Sequence, residues 1–195
     1  MNSTYLIPSL GDPLALFAQF HQRTRQHCAD IEKLGERLHD IGMDAVACDA
    51  ANAIMYFFDH DAHLHHEDEE LVLFPMLRAL KIDADEKADF DQLMQILTDD
   101  HQLLGKAWKT LRNSLLSIAK GRLQWVAADV TTFSALYRHH LNCEDIGIMP
   151  FARRHLDQRT MDELQQALLA RRVASRDSQN IDTADRIHLA ALPEE

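Results

Sequence analysis

The stretch that decides the fold is HHEDEELVLFP, residues 65–75, because it returns as HLNCEDIGIMP at residues 140–150. Both segments read H-x-x-x-E-[ED]-x-x-x-x-P, and a phenylalanine stands seven residues before the first histidine of each. Chance rarely reproduces the spacing together with the flanking phenylalanine and proline, so we interpret the pair as an internal repeat. A fainter echo, His-Gln, occurs at residues 21–22 and 101–102.

The repeat places a histidine and a glutamate on the same helix face. Residues four apart lie about one turn apart on one side of a helix. We predict that the neighbours on these faces are apolar and point inward, namely Ile54, Phe58, Ala62, Val72 and Met76 in one segment and Val126, Phe133, Leu136, Ile148 and Phe151 in the other. Four histidines and two glutamates are therefore expected in one core.

Acidic groups buried together point to a bound cation. Two carboxylates in one core repel each other, and a metal ion reverses the sign of that energy. Imidazole and carboxylate suit iron, manganese or zinc, and a glutamate can bridge two metal ions. Such a donor set leaves open positions for a small molecule. The sequence predicts these metal ligands: His21, His65, Glu69, His101, His140 and Glu144.

Other histidines compete for these roles. His66 with Glu70 has the same spacing as the preferred His65 pair, which alone matches the second copy of the motif, and this register stays open. His27 competes with His21, which matches the histidine of the third helix. Three more histidines are expected at the surface or beside the site, with a fifth ligand among them as an alternative: His60, His63 and His139.

Capping and breaking residues divide the chain into helices. Asp12 before Pro13 is a start signal, and the first apolar pattern stops at Gly42. A cap at Asp83 or Asp85 begins the third helix. The predicted long helices span about residues 12–40, 44–80, 84–120 and 123–155.

These elements predict an all-α protein, an up-down-up-down four-helix bundle with a short fifth C-terminal helix. The segment 160–163, Thr-Met-Asp-Glu, reads as the capping box of the fifth helix, which is expected to end near Val173. We expect one domain over residues 1–175 and a polar tail over residues 176–195.

Composition narrows the choice of partners. The net charge of -11 repels phosphate backbones and anionic membranes, so neither nucleic acid nor a membrane is expected as a partner. Three cysteines without a C-x-x-C pair, no apolar run of about 20 residues and no signal-peptide pattern predict a cytoplasmic protein. The oligomeric state is not indicated.

The paired motif resembles the hemerythrin-like, HHE cation-binding family over about residues 12–156. The resemblance implies an oxo- or hydroxo-bridged di-iron centre in a four-helix bundle. It assigns the six predicted residues as ligands, with Glu69 and Glu144 as bridges. Oxygen-carrying hemerythrins have a second histidine one turn after the first in the third helix, where this chain has Gly105. The site is therefore more similar to family members linked to nitric oxide, peroxide or iron handling.

The expected function is to bind or sense O2, NO or peroxide at a pair of irons, or to handle iron. One alternative is a catalytic oxidase or peroxidase at the same centre. Another is a structural or regulatory bundle with zinc or a single iron, and zinc or manganese are the alternative metals at the site. A ferritin-like site is excluded because it needs E-x-x-H pairs on two helices, and the pattern occurs only at Glu36 to His39.

Overall fold

A computed structural model describes the backbone of residues 12–190 and the side chains of residues 12–175. Residues 1–11 and 191–195, parts of the predicted domain and tail, lie outside this range. All regular elements of the described residues are helical, and π denotes a helical segment with a wider turn. The elements are α1 (Pro13–Asp40), α2 (Ala45–Tyr56), π1 (Phe57–Asp61), α3 (Ala62–Asp68), π2 (Glu69–Leu73), α4 (Phe74–Arg78), α5 (Ala84–Ala119), α6 (Ala127–Cys143), π3 (Glu144–Ile148), α7 (Met149–His155) and α8 (Gln158–Ala190).

The segments from α2 to α4 follow one another without a loop and form the second long helix, and those from α6 to α7 form the fourth. α1 contacts α2, α2 contacts α5, α5 contacts α6, and α6 contacts α1. The all-helical fold is therefore confirmed, with the four helices joined in a closed ring. Their alternating direction stays a prediction.

Aspartate caps set the starts of three helices. The carboxylate of Asp12 accepts a hydrogen bond from the backbone N–H of Leu14, and Asp44 and Asp83 cap α2 and α5 in the same way. Gly42 follows the end of α1 with a φ of 89°, a left-handed conformation that glycine adopts without strain. The predicted start and stop of α1 are confirmed, and Asp83 is the cap of α5.

The fourth helix begins later than predicted. Its first residue is Ala127 rather than about Leu123, because Gly121 turns the chain with a φ of 72° and Val126 is extended. Val126, predicted to face the core, is therefore exposed.

The fifth helix also differs from the prediction. Asp157, rather than Thr160, caps it, since Asp157 Oδ1 accepts a hydrogen bond from the backbone N–H of Thr160 at 2.8 Å. The helix does not end near Val173 but continues to Ala190, so it is not short. α8 packs against α1 and π2.

Two of the π segments end two residues before prolines. Pro75 and Pro150 cannot donate a backbone hydrogen bond, and a proline ring clashes with the carbonyl four residues earlier. The chain widens by one residue in π2 and π3, where Phe74 and Met149 donate five residues back to Glu69 and Glu144. The helices then continue, as predicted, through both prolines.

The wide turn shifts the buried face of the second helix by one residue. Leu73, Phe74 and Leu77 are buried, whereas the predicted Val72 and Met76 are only partly buried. The other predicted inward-facing residues are buried except Val126 and the partly buried Leu136: Ile54, Phe58, Ala62, Phe133, Ile148 and Phe151.

The predicted metal ligands separate two apolar clusters. One cluster contains Phe20, Ile31, Leu111 and Phe133, and the other contains residues such as Met94. His101 in α5 and Glu69 and Glu144 in the second and fourth long helices lie between the stretches that enter the two clusters, and His21 in α1 directly follows Phe20 of the first cluster. A layer of polar side chains therefore lies between two apolar clusters in the core.

Candidate metal centre

The six predicted ligand side chains converge on one buried cluster. α1, α5, α3 and α6 each supply a histidine, and π2 and π3 each begin with a glutamate. None of the six is more than 9% exposed. These residues are His21, His65, Glu69, His101, His140 and Glu144.

The cluster divides into two groups of potential ligand atoms. His21, His65, Glu69 and Glu144 form the first group, and their ligand atoms all lie within 4.8 Å of one another. The second group meets the same limit. It consists of His66, Glu69, His101 and His140. Glu69 therefore belongs to both groups.

Each glutamate directs one oxygen towards each group. Glu69 Oε1 lies 3.2 Å from His65 Nε2, and Glu69 Oε2 lies 3.4 Å from His101 Nε2. Glu144 Oε2 lies 3.2 Å from His21 Nε2, and its Oε1 lies 3.3 Å from His140 Nε2. This is the arrangement that a carboxylate needs to bridge two cations.

These short distances are not hydrogen bonds. The Nε2 atoms of the five histidines and all four carboxylate oxygens are buried without a hydrogen-bond partner. Donors that each lie about 2.1 Å from one metal ion are about 3.0–3.4 Å apart at angles of 90–109°. The observed separations match that spacing, and unsatisfied polar atoms are costly in a dry interior. The donor set therefore fits a pair of metal ions.

In each copy of the repeated motif, the second acid accepts a hydrogen bond from a histidine on another helix. Asp145 Oδ1 accepts from Nδ1 of His21 at 2.7 Å, and Glu70 Oε1 accepts from Nδ1 of His101 at 2.6 Å. Arg25 in turn donates to Asp145 at 2.5 Å. A hydrogen atom on Nδ1 leaves the lone pair of Nε2 directed at the cluster, so these acids orient both rings as a metal ligand would require.

The two repeat histidines have different surroundings. The ring of Phe20 stacks on His65 with centroids 3.9 Å apart. His140 instead has the carboxylate of Asp100 3.7 Å from its Nδ1. The residue before the lone histidine of α1 is thus aromatic, whereas the one in α5 is acidic, and the two halves are not equivalent.

Burial keeps three imidazoles in the form that binds metals. It lowers the pKa of His65 and His66 well below the usual value and that of His140 to about 3. Burial also acts to lower the pKa of His21 and His101, but Glu69 and the acids on their Nδ1 atoms raise it overall.

The two glutamates cannot both stay ionised in a dry site without a cation. Burial raises the pKa of Glu144, and the neighbouring Glu69 carboxylate raises it further. Burial also acts to raise the pKa of Glu69, but His65, His101 and His21 lower it overall. Added positive charge would stabilise both carboxylates.

The competing histidines take different places. His27 lies outside both groups, stacks on Phe57 and lines a surface groove between α1 and α2. Glu70 is also outside the groups, whereas its partner in the alternative register, His66, belongs to the second one. The remaining three histidines considered above are exposed and outside both groups: His60, His63 and His139.

The sequence pattern presents His65 and His66 as alternatives, whereas the structure places both of them in groups of potential ligand atoms. Glu69 is four residues after His65 and three after His66, and both spacings bring side chains together on a helix. The signal was present in the i,i+3 spacing.

The fifth helix is attached next to the site by a buried acid. Asp68, which precedes Glu69, is fully buried and lies 2.6 Å from Arg171 Nε and 2.6 Å from Arg172 Nη2. Arg171 also donates to Glu67 at 2.8 Å. No periodic pattern in the sequence indicates this contact, because its partners lie about 100 residues apart.

The chain is similar to a family of cation-binding proteins. The model of the hemerythrin HHE cation binding domain matches residues 12–152. A protein of Haemophilus influenzae, described only as an uncharacterized protein, is 24% identical over 163 residues, which cover 83% of this chain and 91% of that protein. Among the described residues, no helix has the length and apolar character required to cross a membrane.

Proposed function

This chain belongs to the hemerythrin HHE cation-binding family, and we propose that it holds two irons between its helices and binds a small molecule there, O2, NO or peroxide. Glu69 and Glu144 bridge the two ions in this proposal. The observation that carries it is the set of nine buried nitrogen and oxygen atoms without hydrogen-bond partners, which face one another from four helices.

Electrostatics supports a cation pair. The site buries two carboxylates side by side, and burial together with Glu69 raises the pKa of Glu144, so the doubly ionised pair is disfavoured when no metal is bound. Leaving one buried charge without its partner typically costs about 3–5 kcal/mol. Two divalent ions would compensate both carboxylates and supply a partner to every unsatisfied atom.

The donor chemistry favours iron over the hard cations. Mixed imidazole and carboxylate ligands suit iron, manganese and zinc, whereas calcium and magnesium prefer oxygen atoms alone. The structure contributes no thiolate to either group. Bound iron supplies redox-active positions at which O2, NO or peroxide can coordinate.

Side chains around the site orient its histidines and exclude water from the donor atoms. Asp145 and Glu70 fix the rings of His21 and His101, and Phe20 covers one face of His65. The apolar clusters on both sides exclude water from the donors. At Gly105, one turn after His101, the chain supplies no imidazole and the position faces open space. We therefore propose sensing or iron handling rather than reversible oxygen carriage.

The test is elemental analysis of the purified full-length protein with an absorption spectrum before and after adding NO. About two irons per chain and a spectral change on adding NO are expected. Glu69→Ala and Glu144→Ala should lose most of the metal, while Glu36→Ala, a change of an exposed acid on α1, should keep it. A well-folded protein that stays free of metal after incubation with ferrous iron would overturn the proposal.

A further inference from the structure

The two copies of the repeat differ at the residue that follows the first histidine. His66 follows His65, and the corresponding residue after His140 is Leu141. Leu141 is buried in an apolar cluster, whereas the imidazole of His66 enters the second group of donors. A feature present in one half only needs its own explanation.

Helix geometry brings His66 to the site together with His65. The two side chains lie on either side of Glu69, which is three residues after one and four after the other. His65 belongs to the group of His21, and His66 belongs to the group of His101. The single turn of α3 therefore supplies one imidazole to each group, with the bridging carboxylate of Glu69 between them.

The ring of His66 is packed against the other two histidines of its group. It stacks on His101 with centroids 4.2 Å apart and planes at 18°, and its centroid lies 5.5 Å from that of His140. Its Nε2 is buried without a hydrogen-bond partner, as are the Nε2 atoms of His101 and His140. A ring that served only for packing would leave this nitrogen unsatisfied at a cost of about 1–3 kcal/mol.

On the basis of the two-metal site proposed above, we infer that His66 is a fifth histidine ligand of the centre. It completes a set of three imidazoles with His101 and His140, while His21 and His65 provide two. The two metal positions are therefore inequivalent, and the position on the His21 side has fewer protein nitrogen ligands. This imidazole comes from the second helix, not from position 105 of the third.

The experiment compares His66→Leu with the wild-type protein and with His63→Leu. Leucine is the residue that the repeat itself has at the equivalent position, and His63 is an exposed histidine one turn earlier, 71% exposed and paired with Glu67. Each full-length protein is loaded with ferrous iron, and the iron content is measured by elemental analysis during competition with a chelator. Mössbauer spectra of the oxidised proteins report the two iron environments.

We expect wild-type protein and His63→Leu to give two distinct iron signals of equal intensity. In His66→Leu one signal should change or disappear, and one of the two irons should be removed at least roughly tenfold more readily by the chelator, since loss of a direct ligand should exceed the effect of removing a group behind it. Metal-free His66→Leu should be at least as stable as metal-free wild type in urea, because an unsatisfied buried nitrogen has been replaced by an apolar group.

The possible failures are distinguishable. Wild-type protein without iron would overturn the proposed function and the inference together. Wild-type protein with two irons, combined with unchanged iron affinity and spectra in His66→Leu, would overturn only the role of His66. If His66→Leu does not fold, His66→Gln, which keeps a polar side chain of similar length, decides the question by the same measurements.

Discussion

Asp145 accepts a hydrogen bond from Nδ1 of His21 at 2.7 Å, although the two residues are 124 positions apart in the sequence. The contact joins the first and fourth helices directly behind the site. It explains why the repeated motif has a second acid, since that acid orients an imidazole of a neighbouring helix.

Asp145→Ala should weaken metal binding by about 10- to 100-fold, because His21 loses the acceptor that fixes its ring and its tautomer. Asp145→Asn keeps an acceptor oxygen and should lose less. The measurement is chelator competition at fixed pH. Equal metal affinity in the alanine variant and the wild-type protein would show that the contact has no role in binding.

Glu144→Gln should stabilise the metal-free protein while reducing the amount of metal that it binds. In the metal-free protein at neutral pH, it removes a buried acid whose pKa is raised by burial and by Glu69, and should stabilise the fold by about 1–3 kcal/mol. The same change should reduce the iron content, because glutamine lacks the negative charge and the second oxygen that the proposed ligand Glu144 supplies. Urea unfolding after chelation, together with elemental analysis, tests both parts. A less stable metal-free variant would contradict the electrostatic argument.

The attachment of the fifth helix depends on the arginine pair. Replacing both Arg171 and Arg172 with alanine leaves Asp68 buried without its cations and should destabilise the protein by about 3 kcal/mol. The control Arg159→Ala removes an exposed pair with Glu163 on the same helix and should change stability by less than about 0.5 kcal/mol. Chemical denaturation measures both. Similar values for the two variants would refute the assignment.

Two glycines should respond to alanine in opposite directions. At Gly105 an added Cβ meets nothing within 4 Å in the middle of α5, so Gly105→Ala should stabilise the protein by about 0.5–1 kcal/mol. At Gly35 the Cβ would lie 2.9 Å from Trp125 Cζ2, and Gly35→Ala should destabilise it by about 1–3 kcal/mol. Thermal unfolding distinguishes the signs, and the same sign for both would contradict the packing described here.

The cap of the second helix should depend on pH. Asp44 accepts hydrogen bonds from the guanidinium of Arg37 and from the backbone N–H of Ala47. Together these bonds lower the pKa of Asp44 to about 2. An acid with a lowered pKa stabilises the fold above its unfolded pKa, and this stabilisation is lost as the pH falls through the folded value. Asp44→Ala should therefore be less stable than wild type at pH 6, with the difference shrinking towards pH 2. A difference that is constant over this range would exclude the ionised cap.

Most of the site residues can be predicted from the sequence because they follow from the spacing of nearby residues along single helices and from the repeat. His65 with Glu69 and His140 with Glu144 are each one turn apart, so their common face follows from the helix alone. The caps at Asp12 and Asp83 are equally local. The role of each proposed ligand stays a prediction, whereas the burial and proximity of these side chains are properties of the fold.

The sequence-based predictions are wrong where the structure depends on more than the spacing of neighbouring residues. Spacing alone could not show that the second helix widens at π2, so Val72 and Met76 were predicted inward in place of Leu73 and Leu77. Thr160 had the pattern of a cap, but Asp157 lies earlier and takes that role. The contact of Asp68 with the fifth helix depends on packing between distant segments.

The wide turns that begin at Glu69 and Glu144 rotate the side chains that follow them about the helix axis relative to those that precede them. An uninterrupted α-helix fixes every side chain relative to every other at about 100° per residue. Here one extra residue changes that rotation just beyond Glu69 and Glu144. The apolar side chains after each wide turn can therefore be optimised for packing without turning the imidazoles away from their common centre. Deleting one residue within either turn would rotate the rest of that helix, so its apolar face would no longer point into the core.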